Sequence, residues 1–207
     1  NQSVIGHGAT AQANNSVTLG NDDVTAVYMS SDSGALVHCG GIQFPGTFVS
    51  NAGANVLDEY EEGAWTPVVK DAQGTPNAAG GMAGATGFYT RIGQLVHVIF
   101  ACEINSVSGM TSSDNVHVHG LPFTVDDNSH GSGEPSGGII TFMNNVDSTD
   151  FGSGIFVRAN NNSTYFELKY TAGGATTTIG GSPFLVSQFD AGADTYMAGS
   201  CTYKIDH

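Results

Sequence analysis

The sequence predicts an all-β protein. Glycine contributes 29 of the 207 residues, whereas lysine and arginine together contribute only 5. Long helices held by salt bridges need basic residues, while short strands joined by tight turns need glycine. A hydrophobic fraction of 40%, with 11 Phe and 7 Tyr, is enough to build a core and excludes disorder over most of the length.

The first element is a short repeat within residues 1–20. Ile5-Gly6 recurs as Leu19-Gly20, a spacing of 14 residues. A fixed short period is typical of solenoid and fibrous proteins. Each unit has so few apolar side chains that a core forms only when units stack or when several chains wind around a common axis. We therefore predict a repetitive, intertwined shaft over residues 1–54. The alternative is a Gly/Ser-rich linker with two chance aliphatic residues.

Two short apolar runs, 24–29 and 35–38, continue this region as strand-like segments. Each is too short to be stable alone. The acidic segment 55–63 follows and ends at Gly63. Because glycine commonly ends a helix, we predict a helical or turn-like junction at 55–63.

Residues 64–207 are predicted to form a larger, antiparallel β-sandwich of jelly-roll-like architecture. Segment 95–104 is long, apolar and β-branched, which predicts a position at the centre of a sheet. Segment 165–170 alternates between apolar and polar residues, which predicts one solvent-facing side. Further strand-like segments recur at the spacing of a sandwich: 64–69, 87–92, 115–119, 138–143, 155–159, 184–186 and 200–205.

The charge and the cysteines limit the function classes. The formal net charge is −14, and nucleic acids and anionic membranes bind basic surfaces, so neither partner is expected. No apolar stretch approaches the roughly 18 to 20 residues of a membrane span, so no membrane insertion is expected. Cys39, Cys102 and Cys201 are odd in number and widely spaced, which predicts reduced, mostly buried thiols. The sequence opens inside a repeat without Met, so we expect a part of a longer polypeptide.

Two sets of motifs resemble known families. The segment SVIG at 3–6 resembles, one residue short, the head repeat of trimeric autotransporter adhesins, in which such units wind into a three-chain β-roll. The segment DEYEEGAWTP at 58–67 is similar to a signature in the distal part of tailed-bacteriophage tail fibres and tailspikes. The segments GFYTRIGQLV at 87–96 and GLPFT at 120–124 are similar to the motifs that follow that signature.

The resemblance implies a homotrimer at the tip of a viral fibre. A trimeric β-roll or β-helix-like shaft would lead into a β-sandwich that attaches the virion to a host surface polysaccharide or outer-membrane protein. Other tail-fibre or baseplate proteins would be its partners, and the chain would be made in the cytoplasm of the bacterial host. We interpret the tip as a receptor-binding domain that is not an enzyme and acts by multivalency. A depolymerising tailspike that cleaves polysaccharide and a bacterial trimeric adhesin are the alternatives.

His117 and His119 are candidate metal ligands. Side chains alternate along a strand, so both imidazoles share one face. If that face lay on a trimer axis, six nitrogens would converge and hold a transition metal. The alternative is a solvated edge strand, and we expect neither a metal nor another cofactor.

The acidic residues offer weaker candidates. Asp58, Glu59, Glu61 and Glu62 include enough carboxylates for a glycosidase. Neighbours in a short turn have no fixed geometry, so we predict a junction there and no catalytic residue. Asp22-Asp23 and Asp126-Asp127 lack the spacing of a calcium loop. Trp65 is predicted to be a core or inter-subunit anchor, the alternative being a platform for a sugar.

Glycan contacts are expected on polar loops that carry an occasional aromatic residue, because sugars offer hydroxyl groups and C–H faces. Ordinary solvated turns are the alternative for these loops. The candidate receptor-binding residues are Asn160, Asn161, Asn162, Tyr165, Asn144, Asn145, Phe151 and Tyr196.

Overall fold

The computed structural model describes residues 1–31, 34–42, 59–73, 77–127, 136–147, 151–172, 181–190 and 192–206. The chain divides into two compact units, Asn1–Gln43 and Phe44–His207. The all-β class is confirmed, because apart from one short 3-10 turn at Val186–Gln188 the regular structure in the described ranges is strand. The domain limits predicted at 54 and 63 stay a prediction, since residues 43–58 lie outside the described residues.

The first unit contains one parallel pair of strands. Strand β1 (Gln2–Ile5) pairs with β2 (Ser16–Leu19), and Ile5 lies opposite Leu19. The Gly20 N–H then donates to the Ile5 carbonyl at 2.7 Å. The 14-residue period of the sequence is therefore one turn of chain that brings equivalent residues side by side. The apolar side chains of this pair are 40–64% exposed, namely Val4, Ile5, Val17 and Leu19.

Several local predictions are wrong. Segments 24–29 and 35–38 are predicted strands, but neither has a strand partner among the described residues. Segment 184–186 is also a predicted strand, but Leu185 forms an isolated bridge with Asn115 and Val186 begins the 3-10 turn. The junction is predicted to be helical or turn-like, but Tyr60–Trp65 forms a strand that pairs with Gly87–Ile92 of its neighbour. Pairing with a long neighbouring strand outweighs a local turn signal, because the ladder satisfies every second backbone group. The rest of the junction, up to residue 58, lies outside the described residues.

The second unit is one sheet of ten strands. These are β3 (Tyr60–Trp65), β4 (Val68–Asp71), β5 (Gly81–Ile92), β6 (Leu95–Ser106), β7 (Val116–His119), β8 (Ser136–Met143), β9 (Phe151–Ala159), β10 (Tyr165–Ala172), β11 (Ser182–Pro183) and β12 (Thr195–Lys204). The order across the sheet is β3-β5-β6-β12-β8-β9-β10-β7-β4, with β11 beside β10. The pairings in this sheet are antiparallel.

The sheet curls until its two halves face each other. Strands β3 and β4 lie at opposite ends of the strand order, yet only Thr66 and Pro67 separate them in the chain. Two residues span only about 7 Å, so both edges must meet at one corner. Phe100 on β6 contacts Phe166 on β10, with ring centroids 5.0 Å apart. The two layers of the expected sandwich are therefore parts of one continuous sheet.

The core lies inside this curl. Strand β6 is an interior strand, third in the strand order and paired on both sides, and its inward residues Val96, Val98 and Phe100 are buried. Trp65 packs edge-on against Phe100 and Phe166 and is a core residue, as predicted. Cys102 and Cys201 are buried free thiols, whereas Cys39 is exposed. No helix in the described ranges is long and apolar enough to cross a membrane.

Candidate functional site

The three phage-like motifs pack against one another at the β3–β5 edge. Glu59 forms a buried ion pair with Arg91, and the Gly93 N–H donates to the Glu59 carbonyl at 2.8 Å. The Arg91 guanidinium lies 5.1 Å from the centroid of the Phe123 ring, a cation–π contact. Tyr89 packs edge-on against the same ring. Residues from 58–67, 87–96 and 120–124 thus form one cluster, which we call the motif cluster.

Two glycines of the motifs permit this packing. A Cβ at Gly87 would lie 2.4 Å from Trp65 Nε1, closer than any side chain can approach. Gly120 has φ +97°, and a Cβ there would lie 2.4 Å from the Thr66 carbonyl oxygen. Glycine at both positions lets the backbone pass the Trp65-Thr66 corner.

The acidic residues of the signature have partners within this cluster. Glu61 accepts a hydrogen bond from the Tyr89 hydroxyl at 2.5 Å, and Glu62 accepts one from the Tyr60 hydroxyl at 2.9 Å. Glu61 raises the pKa of Tyr89 to about 12. Neighbouring residues on a strand point to opposite faces, so Glu61 and Glu62 cannot flank one glycosidic bond. Asp58 lies outside the described residues.

A second group of side chains lies on the outer face of β7 and β10. The histidine cluster consists of His117, His119, Tyr165 and Glu167. His117 pairs with Glu167 across the two strands, and His119 pairs with Tyr165. The His117 and Tyr165 rings stack with centroids 4.5 Å apart, and those of His119 and Tyr165 are 4.8 Å apart.

The electrostatics keep both imidazoles neutral. Burial lowers the pKa of His117, although Glu167 acts in the opposite direction. Burial lowers the pKa of His119 to about 4, and Lys70 and His117 act in the same direction. Burial acts to raise the pKa of Glu167, but hydrogen bonds from Lys169 and Asn160 outweigh it and hold the pKa below its ordinary value. The Nε2 atoms of His117 and His119 are buried without a hydrogen-bond partner.

Among the described residues, no third metal ligand joins His117 and His119. Both imidazoles share a face, as the alternation predicts, but no group of three or more His, Cys, Asp or Glu side chains among the described residues is placed to hold a metal ion. The alternative of a solvated edge strand is wrong. Strand β7 pairs with β4 on one side and β10 on the other, which leaves His117 only 7% exposed.

The candidate receptor residues fall into two groups. Asn160 donates to Glu167 at 2.5 Å, so 160–162 adjoin the histidine cluster, to which Tyr165 itself belongs. Asn162 is exposed and has φ +54°, which is typical of a tight turn. This group presents a partly buried phenol ring, stacked on imidazoles, beside amide and carboxylate groups, the kinds of group that contact sugars.

The second group lies at the other half of the sheet. The Tyr196 N–H donates to Asn144 Oδ1 at 2.7 Å, and Asn145 Nδ2 donates to the Asp194 carbonyl at 2.7 Å. Phe151 belongs to neither group, because it is half-buried against Tyr170 and Phe184.

One surface was not predicted from the sequence. The outward side of β5, β6, β12 and β8 carries large apolar side chains that are 48–56% exposed, and we call it the apolar face. They are Phe88, Ile92, Leu95, Ile99, Ile139 and Phe142. Segment 95–104 carries a sign of this surface, because its apolar residues occupy both alternating sets of positions along the strand. A strand that is apolar on both sides of a curled sheet needs cover on both sides.

A concavity of about 380 Å³ opens on the apolar face. Small residues form its floor, among them Gly84, Ala101 and Ala198, while Phe142 and Tyr196 stand at its sides. The Tyr196 hydroxyl donates to Glu103 at 2.8 Å, which fixes the ring.

The comparison with solved structures gives a structural likeness. No family model matches the chain, and no curated protein matches it. The chain is similar to the crystal structure of the Dettilon tailspike protein (gp208), with 18% identity and a TM-score of 0.43. The likeness covers 69% of this chain and 23% of that one, so the chain spans less than a quarter of the tailspike's length.

The prediction that the chain is not an enzyme is corrected by this finding. The protein to which it is similar is named a tailspike, the class given above as the polysaccharide-cleaving alternative. The geometry of the acidic segment 58–62 bears only on its own carboxylates. It does not address carboxylates elsewhere, such as Glu103 and Glu167, so the prediction does not stand.

Proposed function

We propose that this chain is part of a bacteriophage tail attachment protein, a component of the virion tail that binds the surface of a bacterial host. The motif cluster carries the proposal. Segments 58–67, 87–96 and 120–124 lie far apart in the sequence, and each resembles a tail-fibre motif. In the structure they contact one another through Glu59–Arg91, Arg91–Phe123 and Gly87–Trp65.

These contacts explain in physical terms why the three motifs occur together in one chain. The second motif supplies Arg91 for the acid of the first, and the third supplies the aromatic ring on which Arg91 lies. A chain with one motif and without the others would leave a charge or a ring face without its partner. The three motifs therefore support the resemblance as one structural unit.

The partner chemistry follows from charge and from the exposed groups. A chain with net charge −14 is a poor match for an acidic polymer, so a neutral surface polysaccharide or a surface protein fits better. Tyr165 is partly exposed beside Asn160 and Glu167, with its ring stacked on His117. We propose that this group contacts the receptor, and that a homotrimer attached to further tail proteins multiplies a weak contact.

The test is binding of the full chain to an array of purified bacterial capsular and O-antigen polysaccharides. We expect binding to one class, weakened about tenfold or more by Tyr165→Ala, since loss of a central aromatic contact costs at least about 1.4 kcal/mol. Tyr28→Ala, which removes an exposed tyrosine of the first unit, is the control and should bind normally. A chain that binds neither polysaccharide nor intact bacteria would contradict the proposal. Reducing ends released in the same incubation would assign a cleaving tailspike.

A further inference from the structure

We propose that the apolar face is the surface on which a second copy of this chain packs, and that the concavity receives an apolar side chain of that copy. This inference rests on the proposed function, whose homotrimer it locates.

The first argument is area. Four strands about 4.8 Å apart, each with about ten residues at about 3.3 Å rise, cover roughly 600 Å². A standard interface takes about 800 Å² from each partner, so the apolar face supplies most of one side. Its six large side chains are each about half exposed, whereas an isolated protein rarely presents so many on one patch.

The second argument is charge. Copies with a net charge of −14 repel each other, and they approach most easily through a surface that carries few acids. The residues between the large apolar side chains include Thr90, His97 and Thr202, and His97 Nδ1 lies 2.8 Å from the Thr202 hydroxyl. Glu62 lies at the margin, on the edge strand β3. Glu103 lines the concavity, where its carboxylate accepts the hydrogen bond of the Tyr196 hydroxyl. The large apolar side chains thus offer a basic partner few carboxylates to pair with, whereas an identical acidic copy meets little repulsion over them.

The third argument is shape. Phe88 and Ile99 are paired across β5 and β6 and stand out from the sheet, both about half exposed. Two residues further along the same strands, Thr86 and Ala101 line the concavity. A protrusion and a hollow thus lie side by side on one surface. If each protrusion entered the other copy's hollow, the contact would be isologous and would give a dimer; if the protrusion of one copy enters the hollow of the next in one direction, the contact is heterologous and can close into a ring. The proposed homotrimer requires the second arrangement.

The test is the native mass of the full chain and of two kinds of variant. We expect the unaltered chain to run as a multiple of its 21.3 kDa. Ile99→Glu should shift it to the monomer at micromolar concentration, and Ser187→Glu, which adds the same charge to an exposed turn of the same unit, should not. Circular dichroism should report unchanged strand content, because both side chains point outward.

Ala101→Leu distinguishes docking into the concavity from non-specific hydrophobic association. The substitution makes the surface more apolar, so non-specific association would strengthen. If the concavity receives a side chain, filling it should weaken the affinity between copies at least about tenfold. An oligomer that persists in Ile99→Glu or strengthens in Ala101→Leu overturns this surface but leaves the proposed attachment function standing. A monomeric unaltered chain that still binds polysaccharide also overturns the inference without touching attachment.

Discussion

The Arg91 guanidinium and the Glu59 carboxylate form an ion pair whose side chains are only 13% and 6% exposed. Arg91 Nε also donates to the Gly93 carbonyl at 2.9 Å. Either charge would be strongly disfavoured if it were buried alone, so the two side chains stay together. The ion pair therefore joins the first two motifs of the motif cluster.

Replacing Arg91 by Met should destabilise the fold by about 3–5 kcal/mol, because the Glu59 carboxylate would stay buried without its partner. Urea unfolding followed by tryptophan fluorescence measures this, since Trp65 is the only tryptophan and lies in the core. The double variant Glu59→Gln, Arg91→Met should be more stable than Arg91→Met alone. Equal stability of the two variants would show that the pair is not coupled.

Gly87→Ala should cost about 1–3 kcal/mol, because the added methyl group would overlap the Trp65 indole. Gly137→Ala is the matched control, as a Cβ there would meet no atom within 4 Å. Both glycines lie on strands of the same sheet, so the change in β propensity from glycine to alanine is similar at the two positions. A neutral Gly87→Ala would mean that Trp65 lies elsewhere.

Stability should fall as the pH is lowered from about 6.5 towards 4. His117 and His119 have lowered pKa values in the folded chain, so the unfolded chain binds more protons over this range, and stability rises with pH. The lowered pKa of Glu167 acts in the same direction at still lower pH.

Melting temperatures at pH 7.5 and 5.0 measure this effect. The double variant His117→Gln, His119→Gln should flatten the dependence between these two pH values. An equally steep dependence in the double variant would contradict the assignment to the histidine cluster.

One thiol of the three should react readily with an aromatic disulfide reagent in the native chain. Burial raises the pKa of Cys102 and of Cys201 to about 12, so neither forms the reactive thiolate at neutral pH. Cys39 is exposed. In denaturant all three thiols should react with the reagent. In the native state a Cys39→Ser chain should react with almost none of it. Rapid reaction of a second thiol would contradict the burial of β6 and β12.

The features that were predicted correctly depend on local periodicity. The 14-residue repeat can be predicted from Ile5, Leu19 and their glycines alone, and the interior position of β6 can be predicted from its own apolar run. The histidine cluster could be predicted as two imidazoles on one face, but not as a stack, because Tyr165 and Glu167 arrive on a different strand. Their register with β7 is set by long-range pairing.

The same limit explains the missed apolar face. An apolar run cannot distinguish burial inside one chain from burial against another, because the transfer of the side chain from water is the same in both cases. Ile99 and Phe100 are equally apolar neighbours, yet one is about half exposed and the other is 5% exposed. Only the curl of the sheet separates them.

The position of β12 has a consequence for biosynthesis. This strand, Thr195–Lys204, lies between β6 and β8, so the middle of the sheet stays open until the ribosome has released residue 204. Until then β6 has only one neighbour, and its inward Val and Phe side chains are without half of their cover. Pairing of residues about a hundred positions apart is slow. This unit can therefore complete its core only after residue 204 has been synthesised, and during that interval its exposed apolar strands are prone to aggregate.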